Sequence, residues 1–337
     1  MSKARTTLLI LTLIVLPILA IAGTLCFGRF SVPIEDVGRS LYQMVSGVDT
    51  GVSTETYAVI TQIRLPRALL GALVGASLAV SGAAFQGLFR NPLVSAGILG
   101  VSAGAGFGAA LAIVLFSSLF MTPVFAFAFG ILAVSLSYLV GSIKSTTPTI
   151  MLVLGGTVIQ SIFSALLSLV KYIADAETQL PAITFWLMGS LASTKTSDIF
   201  VSMLPMLGGM LGLFAIRWRL NVLSMGDREA KTLGINVGLN KLAVISFATL
   251  ATAGAVSVSG VVGWVGLVVP HIGRMIVGND NRWLVPASMS FGAVFVIVVD
   301  TICRSLTGAE IPLGVVAALV GGPFFIYLLK TTKGRNW

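Results

Sequence analysis

Charge is what this sequence has least of. Lys and Arg number 21 and Asp and Glu 12 in 337 residues, 10% in all, against 56% hydrophobic residues. A soluble domain carries roughly a quarter charged residues. With a mean hydropathy of +1.00, that shortfall excludes a soluble globular protein and leaves a chain that crosses a bilayer many times. Cysteine is nearly absent: Cys26 and Cys303 both lie in or beside apolar runs, so both are expected as small buried side chains; a disulfide near the outer face is the other reading, with nothing in the sequence to support it. There is a single histidine, His271. One ligand makes a poor metal or haem site, so a structural hydrogen-bonding role is expected for it. No G-x-x-x-x-G-K-S/T loop occurs, so the chain has no such cradle for ATP phosphates. No basic run is long enough to act as a nucleic-acid arm. The net charge of +9 is instead the excess that polytopic membrane proteins keep on their inner side.

What remains is apolar runs, glycine and short charged punctuation. A helix needs about 20 residues to cross the bilayer, so uncharged windows count the spans. Thr6–Gly28 is 23 residues long, longer than the ~7–15 residues of a signal-peptide core, and is expected as a retained first helix. Ala68–Phe89 is the second. Asn91–Ile143 is 53 residues without a charge and divides at Met121-Thr-Pro123 into helices three and four. Ser145–Val170 gives five and Ile199–Ile216 six. Leu242–Gly273, 32 residues, gives a full seventh and a short, broken eighth helix at its glycines and Pro270. Trp283–Val299 and Ile311–Leu329 are nine and ten. The 37 glycines suit close backbone approach between helices. The expected fold is therefore an all-α polytopic membrane protein of about ten helices, one transmembrane unit over 1–337.

With the N-terminus inside, 14 of the 21 basic residues and only 3 of the 12 acids fall on the inner side, and the opposite orientation breaks the positive-inside rule at nearly every loop. Both termini are then cytoplasmic. Two outer segments are long, 29–63 and 172–198; the second holds Thr184-Phe-Trp-Leu-Met-Gly189, suited to lying at the interface. Ala79-Val-Ser-Gly82 in helix two is echoed by Ser257-Val-Ser-Gly260 in helix seven, each followed by a glycine-containing apolar run and a proline. The two helices run in opposite directions, so a repeat of helices two to five (64–171) and seven to ten (237–330) would be inverted, with helix six (199–216) between them.

One stretch between spans is densely charged yet patterned: Arg217–Asn236. Within it Leu223-Ser-Met-Gly226-Asp-Arg-Glu-Ala230-Lys-Thr-Leu-Gly234 sets a helix-prone segment between two glycines. Gly226 allows a tight turn, Asp227 favours a helix start and Gly234 suits a helix end. Ala230 and Leu233 are expected on one side, giving a small-residue docking knob on the inner face; a solvated loop is the other reading. Arg64, Arg67 and Arg304 are basic residues on the acidic outer side. They suit recognition of a partner's carboxylates, or else snorkelling and a local Arg304–Asp300 pair at i, i+4. Ser145, Thr146 and Thr147 form an inner corner between helices four and five, either a gate or an ordinary polar turn. Ser259 with His271 is the one candidate pair for an intramembrane serine protease. The spans hold almost no carboxylate of the kind an ion-coupled transporter needs.

The pattern Leu-x-x-Gly-x-x-x-Ala-x-x-Leu-Gly resembles the coupling segment of the iron-siderophore, haem and cobalamin family of bacterial ABC importer permeases. Further stretches match that family in order: Arg64-Leu-Pro-Arg67, Ser81-Gly82, Gln86-Gly-Leu-Phe-Arg-Asn91-Pro92-Leu93, Leu99-Gly100-Val101-Ser102-Ala-Gly104, Gly263-Trp-Val-Gly-Leu-Val-Val-Pro270-His271, Glu310-Ile-Pro312-Leu-Gly314 and Gly322-Pro323-Phe324-Phe325. They cover nearly the whole chain after helix one. The resemblance implies ten spans per subunit, a homodimer, two cytoplasmic ATPase subunits and a periplasmic binding protein in the bacterial inner membrane. ATP would be bound by the partner alone, and no catalytic, cofactor or metal residues are expected in this chain. It assigns ATPase coupling to Leu223, Gly226, Asp227, Arg228, Glu229, Ala230, Leu233 and Gly234, binding-protein docking to Arg64, Arg67 and Arg304, and a cytoplasmic gate to Ser145, Thr146 and Thr147. The implied cargo is a metal chelate, iron-siderophore first and haem or cobalamin next, with a small oxyanion such as molybdate or tungstate as the alternative within the same architecture.

Overall fold

The computed structural model describes residues 3–28, 30–116, 118, 120–142, 148–192 and 196–331, and every regular element among them is helical. The chain opens with α1 (Lys3–Cys26). The first long outer segment is not a loop: it holds α2 (Ile34–Ser46) and α3 (Thr54–Ala58). Pro33 starts α2, Glu35 and Asp36 favour its first turn, and Gly47 at φ 71° closes it with its N–H on the Gln43 carbonyl. A π-helical turn, Val59–Arg64, joins α3 without a break to α4 (Leu65–Phe89). An irregular stretch at 90–100 precedes α5 (Val101–Phe116), α6 (Met121–Gly141) and α7 (Thr149–Ile173). Then come α8 (Gln179–Met188), α9 (Thr196–Ala215), α10 (Arg217–Met225), α11 (Asp227–Thr232), α12 (Val237–Ser259), α13 (Val265–Val277), α14 (Asn281–Ser305) and α15 (Leu313–Thr331).

Six of these helices are long and apolar enough to span a membrane: α1, α4, α6, α7, α12 and α14. Four shorter apolar helices lie within α5, α9, α13 and α15, so the described residues hold ten apolar helices where the sequence predicts ten. α13 has 13 residues and so covers ~20 Å of a ~30 Å hydrocarbon core, the short helix the sequence predicts. Helix ends move by a few residues because caps, not charge, set them. α12 begins five residues before the uncharged window because Asn236 accepts a hydrogen bond from the Leu239 N–H at 3.1 Å.

The packing has the exchange pattern of an inverted repeat. α4 packs on α13 and α14, α12 packs in the same way on α5 and α6, and α4 touches α12. Within each set the last three helices contact one another pairwise: α5, α6 and α7, then α13, α14 and α15. Among the described residues the non-glycine positions with positive φ, Arg90 (51°) and Trp264 (69°), each fall in the break between the first and second helix of a set.

α4 is the enclosed centre, 83% buried over its span against 17% for α1. Its glycines make this possible. A Cβ on Gly75 would collide with the Gly292 carbonyl on α14, and one on Gly292 with the Gly75 carbonyl; a Cβ on Gly82 would collide with Gly266 on α13. Gly75→Val is expected to destabilise by at least ~1–3 kcal/mol, the cost of overpacking. Gly23→Ala on α1, where a Cβ meets nothing within 4 Å, is expected to be neutral or to stabilise by ~0.4–1 kcal/mol. Thermal unfolding in detergent compares the two directly.

Candidate functional site

At one end of the bundle α10 and α11 form a bent, exposed charged element. Gly226, at φ 128°, makes the bend; a Cβ there would clash with the Glu229 carboxylate and sit 3.2 Å from Arg90 Nη1. The expected knob is corrected in one respect. Ala230 is fully buried and Leu223 nearly so, whereas Leu233 is 59% exposed. α11 ends at Thr232 and Leu233 is its C-cap, so the i, i+3 register that would place the two on one side does not extend to it. The outward surface is Arg228, Glu229, Lys231 and Leu233, with Ala230 as its root in the bundle.

Polar bonds tie this element down. Lys241 Nζ on α12 donates to Asp227 Oδ2 at 2.7 Å and to Thr149 Oγ1 on α7 at 3.3 Å. Arg219 Nη1 donates to Asn240 Oδ1 at 3.1 Å. Asn221 donates to Asp280 Oδ1 at 2.7 Å and accepts from the Asn281 N–H at 2.7 Å. Hydrogen bonding from Arg282, the largest cause, pulls the Asp280 carboxyl down to about 2.

The opposite end holds a buried ionic cluster. Arg67 donates to both oxygens of Asp300 (Nε–Oδ2 2.9 Å, Nη2–Oδ1 2.8 Å) and to both oxygens of Glu310 (2.9 Å each). Arg304 Nη2 donates to the Thr24 carbonyl at 2.5 Å and to Thr24 Oγ1 at 2.7 Å. Arg64 donates to the Leu25 carbonyl at 2.6 Å and to the Phe30 carbonyl. The three arginines expected at a docking surface are thus turned inward, each under 10% exposed. They tie α1, α4, α14 and the α14–α15 loop together. The local Arg304–Asp300 pair is present at 3.9 Å, but Arg67 is the main partner of Asp300.

Between the two ends α7 exposes Thr157, Ser161, Ser164 and Ser168, spaced 4-3-4 along one face, with Gln160 beside them. Thr157, Ser161 and Ser168 donate to carbonyls of the preceding turn at 2.8–2.9 Å, which keeps them inside the helix while leaving acceptor lone pairs outward. No role was expected for these residues, although their helical spacing is readable. Gln86, quoted only as part of a motif, donates to the Val94 and Gly266 carbonyls at 3.1 and 3.2 Å and accepts from Arg274 Nη1 at 2.5 Å. It satisfies one carbonyl of the irregular 90–100 stretch and one that Pro270, lacking an N–H, leaves free within α13. His271 is buried on α13. Ser145, Thr146 and Thr147 lie outside the described residues. Among the described residues no group of His, Cys, Asp and Glu could hold a metal ion.

A helical bundle with broken short helices, inverted packing and a charged element bent across one end has the architecture of an ABC transporter permease. The chain superimposes with a TM-score of 0.86 on a solved inward-facing putative metal-chelate type ABC transporter, at 37% identity over 97% of this chain and 99% of that one. It is 40% identical to the molybdate import system permease protein MolB of Haemophilus influenzae, over 91% of each chain. To the cobalamin import system permease protein BtuC of Halobacterium salinarum it is 39% identical, over 85% of this chain and 77% of that one. The FecCD transport family model matches residues 12–331. This chain belongs to the FecCD transport family and is a multi-pass ABC importer permease.

Arg67→Met strands two carboxylates and is expected to cost ~3–5 kcal/mol, the usual penalty for breaking a buried pair. The triple variant R67M/D300N/E310Q should recover much of that loss in thermal unfolding. Asp280 titrates below its unfolded value of about 3.9. Its contribution is therefore complete above ~pH 5 and lost as pH falls through 4 toward 2. The melting difference between wild type and Asp280→Ala should shrink over that window.

Proposed function

We propose that the chain is the membrane subunit of a binding-protein-dependent importer of the cytoplasmic membrane, and that it moves a metal chelate inward on ATP hydrolysed by a separate subunit. The observation that carries this reading is the exposed surface of α10–α11, rooted in the bundle through the buried Ala230, in a chain of the FecCD family. The α11 end faces the cytoplasm, in keeping with the basic excess on that side, and each copy receives one ATPase subunit there through Arg228, Glu229 and Leu233. Leu223, Gly226, Asp227, Ala230 and Gly234 shape that surface. Ser145, Thr146 and Thr147, just before α7 in the sequence, act as the cytoplasmic gate.

A second copy pairs along α7, so that the hydroxyl stripe lines a passage rather than meeting lipid tails. A binding protein meets the opposite end, over Arg64, Arg67 and Arg304. In the arrangement seen, the donors of Arg67 are engaged by Asp300 and Glu310, so a partner's carboxylate reaches Arg67 only if Glu310, whose side chain is 28% exposed, gives way.

The stretch 149–170 carries no charge. A neutral passage of hydroxyls and an amide suits a bulky, hydrogen-bonding chelate whose own ligands screen the metal, with iron-siderophore first and haem or cobalamin next. The molybdate permease among the relatives supports a second reading, a small oxyanion such as molybdate or tungstate.

Proteoliposomes with the ATPase, ATP inside and binding protein outside would be offered a ferric siderophore, haem, cobalamin and molybdate. ATP-dependent uptake of a chelate is the expected result. Uptake of molybdate alone selects the second reading, and uptake driven by an ion gradient without ATP overturns the importer reading. Leu233→Glu alters only an exposed side chain. It is expected to leave folding intact and to release the ATPase from the purified complex; full retention of the ATPase would remove α11 from the coupling surface.

A further inference from the structure

Lys241 belongs to neither docking surface, yet its side chain is only 1% exposed, among the best buried in the chain. Its ammonium reaches two other helices: Asp227, the first residue of α11, at 2.7 Å, and Thr149, the first residue of α7, at 3.3 Å. Its own helix, α12, opens the second repeat. One cation therefore joins the exposed charged element, the start of the second repeat and the end of the helix that carries the hydroxyl stripe.

Stability alone does not call for a lysine here. Burying an ammonium is costly unless it is paired, and an apolar residue of similar volume is often neutral or stabilising in its place. Asp227 does not need the lysine for solvation, since its side chain is 47% exposed. What the lysine adds is direction and stiffness. A short charge-assisted bond resists stretching, and α11, only six residues long, is too short to hold its own position. Gly226 and Gly234, at φ 128° and 76°, bracket it with turns, while Asp227 fastens it to Lys241.

We propose that Lys241 is the positioning residue that passes displacement of α11 to the near end of α7, so that movement imposed by the ATPase reaches the passage. This rests on the reading of α11 as the coupling surface. Lys241→Met removes all three donors at similar volume, Thr149→Val cuts only the α7 arm, and Lys241→Arg keeps the charge and donors.

The test uses the full complex in nanodiscs, in a C26A/C303A background, with a nitroxide at Ile150→Cys, a position 64% exposed on α7. Distances between the labels of the two copies are measured without nucleotide and after trapping with ATP and vanadate. ATPase content and hydrolysis rate are measured on the same samples. K241M and T149V are expected to keep ATPase content and to hydrolyse ATP within about twofold of wild type, but to lose the nucleotide-dependent shift in distance; K241R should retain it. A merely structural role would lower the yield of folded complex without separating hydrolysis from label movement. If K241M does not assemble, T149V carries the same prediction. Full label movement in T149V and in any assembled K241M overturns the proposal. If Leu233→Glu meanwhile releases the ATPase, the coupling surface itself stands. If Leu233→Glu retains the ATPase, the coupling reading falls and the proposal falls with it.

Discussion

The fold depends on backbone meeting backbone at two places on α4, where Gly75 lies against Gly292 and Gly82 against Gly266. Between helices in lipid there is no hydrophobic driving force of the kind that packs a soluble core, so association rests on close van der Waals contact and polar bonds. Missing side chains let α4 approach α14 and α13 at backbone distance. Because α13 and α14 belong to the other repeat, the same contacts lock the two repeats together. The polar side chains then act at the ends and the breaks of this rigid centre.

At the breaks, carbonyls that no helical N–H reaches must find internal partners. Gln86 supplies donors to the carbonyls of Val94 and Gly266, one in each repeat. At one end, Arg67 saturates Asp300 and Glu310 while Arg64 and Arg304 hold the last turn of α1. At the other, Lys241, Arg219 and Asn221 fasten the charged element to α12, α7 and α14. The molecule thus has a closely packed centre of backbone contacts and two ends held by polar, directional bonds.

Much of this was legible in the sequence, for identifiable reasons. Bilayer thickness turns uncharged windows into a count of spans, and the division at Met121 and the short α13 are both as expected. The charged element stood out because little else between spans is both charged and patterned. α2 and α3 were missed because an amphipathic helix with Glu35, Asp36 and Arg39 reads as loop until the surface it covers is known. Spacing placed Ala230 and Leu233 on one face, but α11 stops before Leu233. The partner of Arg67 was beyond local inspection, since Asp300 lies 233 residues away. Lys241 was legible only as one more inner charge. Nothing in its neighbours Asn240 and Leu242 marks a residue that reaches both α11 and α7.

The central claim is that this permease is driven from α10–α11 by a separate ATPase. Affinity purification of the chain from its native membrane in gentle detergents, with identification and quantitation of the proteins that accompany it, tests this most directly. The account predicts an ATPase subunit in equal number to the chain. A purified, folded chain that carries no ATPase under any gentle detergent, yet transports along an ion gradient, would contradict it.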